Sequence, residues 1–199
     1  DYTNSAELLV VSWAAWSTGI TTVPLDIKRD TAELREYKLR ASKAKLTLAE
    51  GALSAAPAGA PPVWMPDMSH EALVLFTSGT TAHPKGAQLT LQNLVVNAEG
   101  IAQWLNIQEN DRFLVELPLH HINSTTFCLA SLVAGASIAI PPSYSNSHFF
   151  EQAANSAATF TSLVPSIVFD QLSRVQEFEM VKDRLKLRCI QLGSAPVVA

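Results

Sequence analysis

The second half of the chain alternates between short apolar segments and helical segments, and this alternation constrains the fold more than any other feature. Segments with helical periodicity lie around residues 126–133, 148–154 and 166–175. Strands that alternate with helices pair in parallel, and the helices cover the sheet. The sequence therefore predicts an α/β fold with helix-covered, largely parallel sheets. The apolar segments that predict its strands are 113–117, 137–140, 159–163 and 189–192.

The first half of the chain predicts shorter helix–strand units. Ser5 and Thr31 are placed to cap helices that run to about residues 16 and 42. Each helix is followed by an apolar segment that predicts a strand, at 20–25 and at 45–48. Further segments predict strands at 72–77 and 87–91 and a helix at 92–104.

An Ala-, Pro- and Gly-rich segment, residues 50–69, separates two regions of the chain. Its prolines block regular structure, so we expect a surface connection. The predicted organisation is helix–strand units at 1–49, the connection at 50–69, and a loop region with a second sheet at 70–199.

Composition narrows the partners and the compartment. The 199 residues are 48% hydrophobic with a formal net charge of −4, so the chain offers no basic surface for nucleic acid. The longest weakly polar stretch, 127–142, is interrupted and too short for a membrane span. Cys128 and Cys189 have neither metal-ligand nor disulfide-framework spacing, which indicates a reducing compartment, the cytoplasm by default. The chain has neither a starting Met nor a secretory signal, so we expect it to begin inside a longer protein.

A loop rich in hydroxyl groups and glycine follows the predicted strand at 72–77. Residues 77–86 read Thr-Ser-Gly-Thr-Thr-Ala-His-Pro-Lys-Gly. Glycines let the backbone approach an anion, hydroxyl and N–H groups donate hydrogen bonds to phosphate oxygens, and lysine adds positive charge. The loop differs from a Walker A loop, because Lys85 precedes Gly86 and the chain continues extended. This pattern predicts a polyphosphate site, although a shorter stretch of this kind would indicate only a hydrophilic turn.

Four segments, in order, resemble the adenylate-forming superfamily of acyl- and aryl-CoA ligases, luciferases and the adenylation domains of nonribosomal peptide synthetases. Residues 75–86 resemble its phosphate-loop signature, and 16–26 its early helix, glycine and Val-Pro-Leu-Asp turn. Residues 117–123 resemble its Pro-Leu-aromatic-His motif, and 193–196 its Gly-Gly-Ala-Pro turn. The resemblance implies part of the large N-terminal domain of such an enzyme. It also implies ATP-dependent activation of a small carboxylic acid as its acyl-adenylate, pyrophosphate release, and thioester formation with CoA.

The resemblance implies roles for individual residues. Loop residues would hold the β- and γ-phosphates of ATP, and the Thr80 hydroxyl would lie near Mg²⁺. His121 is the expected catalytic residue near the substrate carboxylate, with Asn123 beside the substrate. On a strand, His120 and His121 would point to opposite faces and could not share one metal. The expected ATP and adenine contacts are Thr77, Ser78, Gly79, Thr80, Thr81, Lys85, Gly86, Gly193, Ser194, Ala195 and Pro196.

Two segments bear on the acyl pocket. Asn123-Ser124 stands where the family usually has a glycine-containing sequence, which indicates a narrower or more polar pocket. Residues 161–166 resemble a strand-to-helix turn near that pocket, although a Ser/Pro helix start explains them equally well.

Other departures leave alternatives open. Ala82 replaces a usual loop glycine, which favours a non-catalytic nucleotide-binding module as one alternative. Residues 119–126 contain no Asp to pair with an α-ammonium group, which disfavours a peptide-synthetase adenylation domain. The histidine pair leaves a luciferase-like second step open. The family's acidic Mg²⁺ ligand, ribose-binding Asp and catalytic Lys have no counterpart here. We therefore expect a fragment that is inactive alone and that could form a homo-oligomer through exposed sheet edges.

Overall fold

The computed structural model describes residues 4–49, 51, 66–77, 84–141, 146–193 and 195–196. The chain forms two compact units, Asp1–Leu94 and Val95–Ala199. The predicted division of the chain at residues 50–69 stays a prediction. The described helices are α1 (Ala6–Ser17), α2 (Ala32–Ala41), α3 (Leu91–Trp104), α4 (Ile122–Val133), α5 (Phe149–Asn155), α6 (Pro165–Leu172) and α7 (Val175–Val181). The described strands are β1 (Glu71–Phe76), β2 (Gly86–Thr90), β3 (Arg112–Leu114), β4 (Ser137–Ala139), β5 (Phe160–Leu163) and β6 (Cys189–Leu192).

Both predicted caps in the first unit are confirmed. The Ser5 hydroxyl accepts a hydrogen bond from the backbone N–H of Leu8 at 3.3 Å, and Thr31 accepts one from Leu34 at 3.2 Å. These bonds satisfy N–H groups that a helix start leaves without partners. At the other end of α2, Lys43 adopts a φ of +52°, a left-handed conformation that favours glycine.

The strands of the first unit correct the sequence prediction in two ways. β1 and β2 pair antiparallel, with Phe76 opposite Gly86, and the parallel pairing described in this unit is a single bridge. The strand predicted at 20–25 is reduced to one bridge, in which Thr22 pairs with Leu73. Pro24 lacks the N–H that would extend this pairing.

The strand predicted at 45–48 is also wrong. This segment has no regular structure, and Leu46 is 75% exposed. Among the described residues it has no strand to pair with. Two leucines in alternation were therefore not enough to define a strand.

The second unit confirms the parallel sheet, with strand order β4-β3-β5-β6. On one face, Phe113 stacks on Phe127 of α4 with ring centroids 5.4 Å apart. The helix predicted at 166–175 is α6, which ends at Leu172, and the sequence did not predict the helix α7 that begins at Val175. Among the described helices, none is long and apolar enough to cross a bilayer. A separate core cluster comprises Leu114, Phe149, Ala153, Ala158 and Leu163.

A network of charged and polar groups ties together the amino ends of three strands. Arg188, just before β6, donates to both carboxylate oxygens of Asp111, through Nε at 2.9 Å and Nη2 at 2.7 Å. Thr159, just before β5, donates to the same carboxylate at 2.7 Å, and so does the Gln108 N–H at 2.9 Å. The hydrogen bonds from Arg188 are the largest cause that holds the pKa of Asp111 well below its ordinary value. The amino ends of the sheet are therefore firmly joined.

Candidate active site

The predicted phosphate loop has a closed neck in the first unit. The Thr77 N–H donates to the Lys85 carbonyl at 2.9 Å, which extends the pairing of β1 with β2 by one residue. Thr77, Lys85 and Gly86 are exposed at this neck. Their hydroxyl, ammonium and backbone groups are of the kind that binds phosphate oxygens. The predicted positions Ser78, Gly79, Thr80 and Thr81, and also Ala82, lie outside the described residues.

Gly86 is at a position where a side chain would not fit without movement. A Cβ atom there would lie 3.0 Å from Cγ1 of Val74 on the paired strand. Glycine therefore lets the returning strand lie close to β1 at the base of the loop.

Helix α2 contacts both sides of the loop neck through one residue that sequence reasoning missed. The Tyr37 hydroxyl donates to the Pro84 carbonyl at 3.2 Å, and its ring packs edge-on against Phe76 at 6.3 Å. A cleft of about 660 Å³ opens here, with Lys43 and Lys85 in its lining. The only sequence signal for Tyr37 was an aromatic residue on an otherwise charged helix.

The helix that carries Tyr37 is fixed by an ion pair next to it. Lys38 lies 2.6 Å from both carboxylate oxygens of Asp30, and both side chains are largely buried. Its Nζ also lies 5.9 Å from the centre of the Phe76 ring. Two consecutive residues of α2 thus contact the strand that leads into the loop.

The histidine motif in the second unit forms a turn and not a strand, which corrects the prediction that the two side chains point to opposite faces. The His121 N–H donates to the Pro118 carbonyl at 3.1 Å, and the rings of His120 and His121 lie 4.4 Å apart. β3 already ends at Leu114, and Pro118 has no N–H with which strand pairing could resume. Within the described ranges, no three His, Cys, Asp or Glu side chains are grouped to hold a metal ion.

Two buried hydroxyl groups fix the start of α4 against the motif. Ser124 donates to the Leu117 carbonyl at 2.9 Å, and Thr125 donates to the Leu119 carbonyl at 2.8 Å. His121 directly precedes α4, with its side chain exposed, and Asn123 lies in the first turn, half-buried. Sequence reasoning noted Ser124 only beside the acyl pocket and did not consider Thr125, and it missed both of these bonds, whose partners lie seven and six residues earlier.

The structure places the Asn123 amide near Gly193. Gly193 follows β6 and donates its N–H to the Leu163 carbonyl at 3.2 Å. A Cβ atom on Gly193 would lie 3.8 Å from Nδ2 of Asn123. Ala195 and Pro196 are exposed beyond it, and Ser194 lies outside the described residues.

A buried carboxyl group two residues after β3 was also missed. Glu116 is 2% exposed, and neither of its carboxyl oxygens has a hydrogen-bond partner within the described part of the chain. Burial raises the pKa of Glu116 to about 8. Its only sequence signal was one acidic residue in an apolar segment.

Comparison with known proteins decides the family. The model of the AMP-binding enzyme family matches residues 2–199. The chain belongs to the AMP-binding enzyme family. This confirms the resemblance drawn from the four sequence segments.

Curated relatives of this AMP-binding chain are CoA ligases. It is 38% identical over 118 residues to sulfoacetate–CoA ligase from Cupriavidus necator, which covers 59% of this chain and 23% of the relative. It is 29% identical over 215 aligned positions to 2-succinylbenzoate–CoA ligase from Bacillus licheniformis, which covers 98% of this chain and 43% of the relative. The chain therefore spans less than half the length of these relatives.

Solved structures confirm the fold. The o-succinylbenzoate CoA synthetase from Bacillus subtilis, solved with its acyl-adenylate intermediate, superposes with a TM-score of 0.80 at 26% identity. The match covers 98% of this chain and 55% of that one. The N-terminal domain of FACL13 from Mycobacterium tuberculosis has a TM-score of 0.84 at 23% identity, covering 98% and 56%, which shows the fold alone. The AMP-binding chain has the fold of part of an adenylate-forming N-terminal domain, as the sequence predicts.

Proposed function

We propose that the protein containing this chain activates a carboxylic acid as its acyl-adenylate and then transfers the acyl group to CoA. The observation that carries this proposal is the hydroxyl- and glycine-rich loop, closed at its neck between Thr77 and Lys85, in a member of the AMP-binding family. The names of the curated relatives, which are CoA ligases, support CoA as the acceptor.

In the first step, a carboxylate oxygen of the acid attacks the α-phosphorus of ATP. The bond from that phosphorus to the bridging oxygen breaks, and pyrophosphate leaves with the electron pair. The loop donors and the Lys85 ammonium would bind the β- and γ-phosphates and stabilise the charge that moves onto them. When Mg²⁺ is bound, with Thr80 as the proposed contact, it neutralises phosphate charge.

In the second step, the CoA sulfur attacks the acyl carbon, the thiol loses its proton, and AMP leaves with the carboxyl oxygen. We assign His121 to the region of the reacting carboxylate, and Gly193, Ser194, Ala195 and Pro196 to the adenine and acyl groups. Both cysteines are free, with Cys128 buried, which supports a reducing compartment such as the cytoplasm.

The test is ATP–pyrophosphate exchange by the full-length protein across a panel of carboxylic acids, followed by CoA thioester detection. Lys85→Met should reduce exchange at least about 10-fold, because it removes a cation from the phosphates. Lys28→Met is the matched control, since Lys28 is exposed in the same unit and does not line the cleft.

Three outcomes separate the alternatives. Exchange with one class of acid that Lys85→Met weakens and Lys28→Met leaves intact supports adenylation. ATP binding without exchange for any acid favours the non-catalytic module. Exchange without a CoA thioester refutes CoA as the acceptor.

A further inference from the structure

The side-chain amide of Gln191 on β6 is held in one orientation. Ser162, buried on β5, lies directly across from Gln191 in the parallel pairing and donates its hydroxyl hydrogen to Oε1 at 2.5 Å. Nε2 of Gln191 donates to the Leu192 carbonyl at 2.6 Å, and a carbonyl can only accept. The bond to Leu192 therefore identifies the nitrogen end of the amide. It uses one of the two hydrogens on Nε2, and the other has no acceptor among the described residues.

The amide nitrogens of Gln191 and Asn123 meet beside Gly193. A Cβ atom on Gly193 would lie 3.1 Å from Nε2 of Gln191 and 3.8 Å from Nδ2 of Asn123. Oε1 of Gln191 lies 3.6 Å from the same point, but it already accepts the Ser162 hydrogen. We call Asn123 and Gln191 the amide pair. Because glycine has no side chain, a ligand group can approach the backbone here, and the groups that remain free to bind it are N–H donors.

The fold does not account for the Asn123 amide. Its Oδ1 is buried without a donor in the described part of the chain, and its Nδ2 has no acceptor there. A buried polar atom without a partner costs stability, so its presence in a native protein requires an explanation. The amide pair lies at the carboxyl end of β6, and parallel α/β sheets bind ligands outside the carboxyl ends of their strands. A ligand that accepts from Nδ2 explains why this position carries an amide.

We propose that the amide pair donates hydrogen bonds to an acceptor oxygen on the acyl chain, so that the enzyme prefers acids with a second carboxylate or an oxo group. This inference rests on the proposed function, which assigns Gly193 to the acyl and adenine groups. Both nitrogens lie near one point, so one carboxylate or one carbonyl oxygen can accept a hydrogen from each. An apolar acyl chain of the same shape would leave both N–H groups without partners, which costs binding free energy.

The experiment measures kcat/KM for pyrophosphate exchange by the full-length enzyme with acids of matched shape. The aliphatic series is succinate, 4-oxopentanoate and 4-methylpentanoate, and the aromatic series is terephthalate, 4-acetylbenzoate and 4-isopropylbenzoate. The last acid of each series has no second acceptor. In at least one series, an acceptor-bearing acid should exceed the apolar acid about 10-fold or more, since a site that hydrogen-bonds its substrate rejects the analogue without that group. Preference for the dicarboxylate identifies a carboxylate as the bound group, and preference for the oxo acid identifies a carbonyl.

Asn123→Asp tests the donor directly, because aspartate keeps the shape of the side chain and replaces the nitrogen with an acceptor oxygen. It should lower the ratio of kcat/KM for the preferred acid to that for its apolar analogue about 10-fold or more. Asn155→Asp is the matched control that adds the same charge. It should keep the ratio, because Asn155 accepts from Arg184 through an oxygen that aspartate retains.

The outcomes separate this inference from the proposed function. Equal use of all acids in both series by the wild type, or a preference for the apolar acids, would overturn the inference and leave adenylation intact. An unchanged ratio in Asn123→Asp would do the same. Absence of exchange with every acid would overturn the proposed function and this inference together. If Asn123→Asp fails to fold, the wild-type ratios alone decide.

Discussion

Glu116 should make the stability of the second unit depend on pH in the direction opposite to an ordinary paired carboxylate. The side chain is buried without a partner among the described residues, and burial raises its pKa from 4.5 to about 8. The folded chain therefore keeps a proton that the unfolded chain releases. Below about pH 4.5 both states are protonated, and Glu116 contributes no pH dependence. Between about pH 4.5 and 8 the free energy of unfolding should fall as pH rises.

The size of this effect follows from the two pKa values. Each pKa unit corresponds to about 1.4 kcal/mol, so the shift from 4.5 to about 8 corresponds to roughly 3 to 5 kcal/mol. Glu116→Gln has nearly the same shape and does not titrate. We expect the variant to match the wild type at pH 4.5 and to exceed its free energy of unfolding by roughly 3 kcal/mol or more at pH 8.

Urea denaturation followed by circular dichroism at several pH values measures this difference. Glu151→Gln is the matched control, because Glu151 is an exposed glutamate of α5 in the same unit. Its difference from the wild type should be small and nearly constant with pH. If the Glu116→Gln difference is also constant between pH 5 and 8, Glu116 ionises alike in both states and the reasoning is wrong.

Three further predictions concern other positions. Asp111→Asn should lower the free energy of unfolding by roughly 2 to 4 kcal/mol at pH 7, because it leaves Arg188 without its carboxylate. Since the pKa of Asp111 is lowered, its ionised form stabilises the folded state above about pH 4, and this stabilisation is lost on acidification. Urea titrations of the variant and the wild type should therefore converge at low pH. Tyr37→Phe should raise the KM for ATP roughly 2- to 10-fold with little change in melting temperature, because it removes one hydrogen bond to Pro84; an unchanged KM would show that Tyr37 does not position the loop. Lys43→Gly should raise the free energy of unfolding by up to about 1 kcal/mol, because glycine adopts the φ of +52° without strain; a loss of stability in thermal denaturation would contradict this.

Local signals predicted most of the elements. The caps of α1 and α2 depend on side chains three residues from their partners, so Ser5 and Thr31 could be identified from sequence alone. The parallel sheet followed from the alternation of strands and helices. The segment at 20–25 was misjudged because its apolar pattern outweighed Pro24, which lacks the N–H that pairing requires.

The site residues also divide into those that a local motif identifies and those that depend on the packed structure. The loop and the Gly193 turn are local motifs, so the sequence alone could nominate their residues, and their roles stay predictions. The pair Ser162–Gln191 depends on the register of two strands 29 residues apart, which no local pattern determines. Glu116 could not be recognised because its significance depends on complete burial, a property of the packed unit.

The two ends of the parallel sheet differ in chemistry, and this difference predicts how variants should separate. At the amino ends, the Asp111 carboxylate is satisfied by Arg188, Thr159 and a backbone N–H, so its role is stability. At the carboxyl ends, Glu116 and Asn123 keep buried oxygens without partners in the described chain, which costs stability and is expected where a ligand binds. Asp111→Asn should therefore lower the unfolding midpoint in urea and leave kcat/KM for pyrophosphate exchange unchanged. Asn123→Leu should lower that kcat/KM and keep or raise the midpoint. A variant at the amino ends that altered kcat/KM without unfolding the protein would contradict this separation.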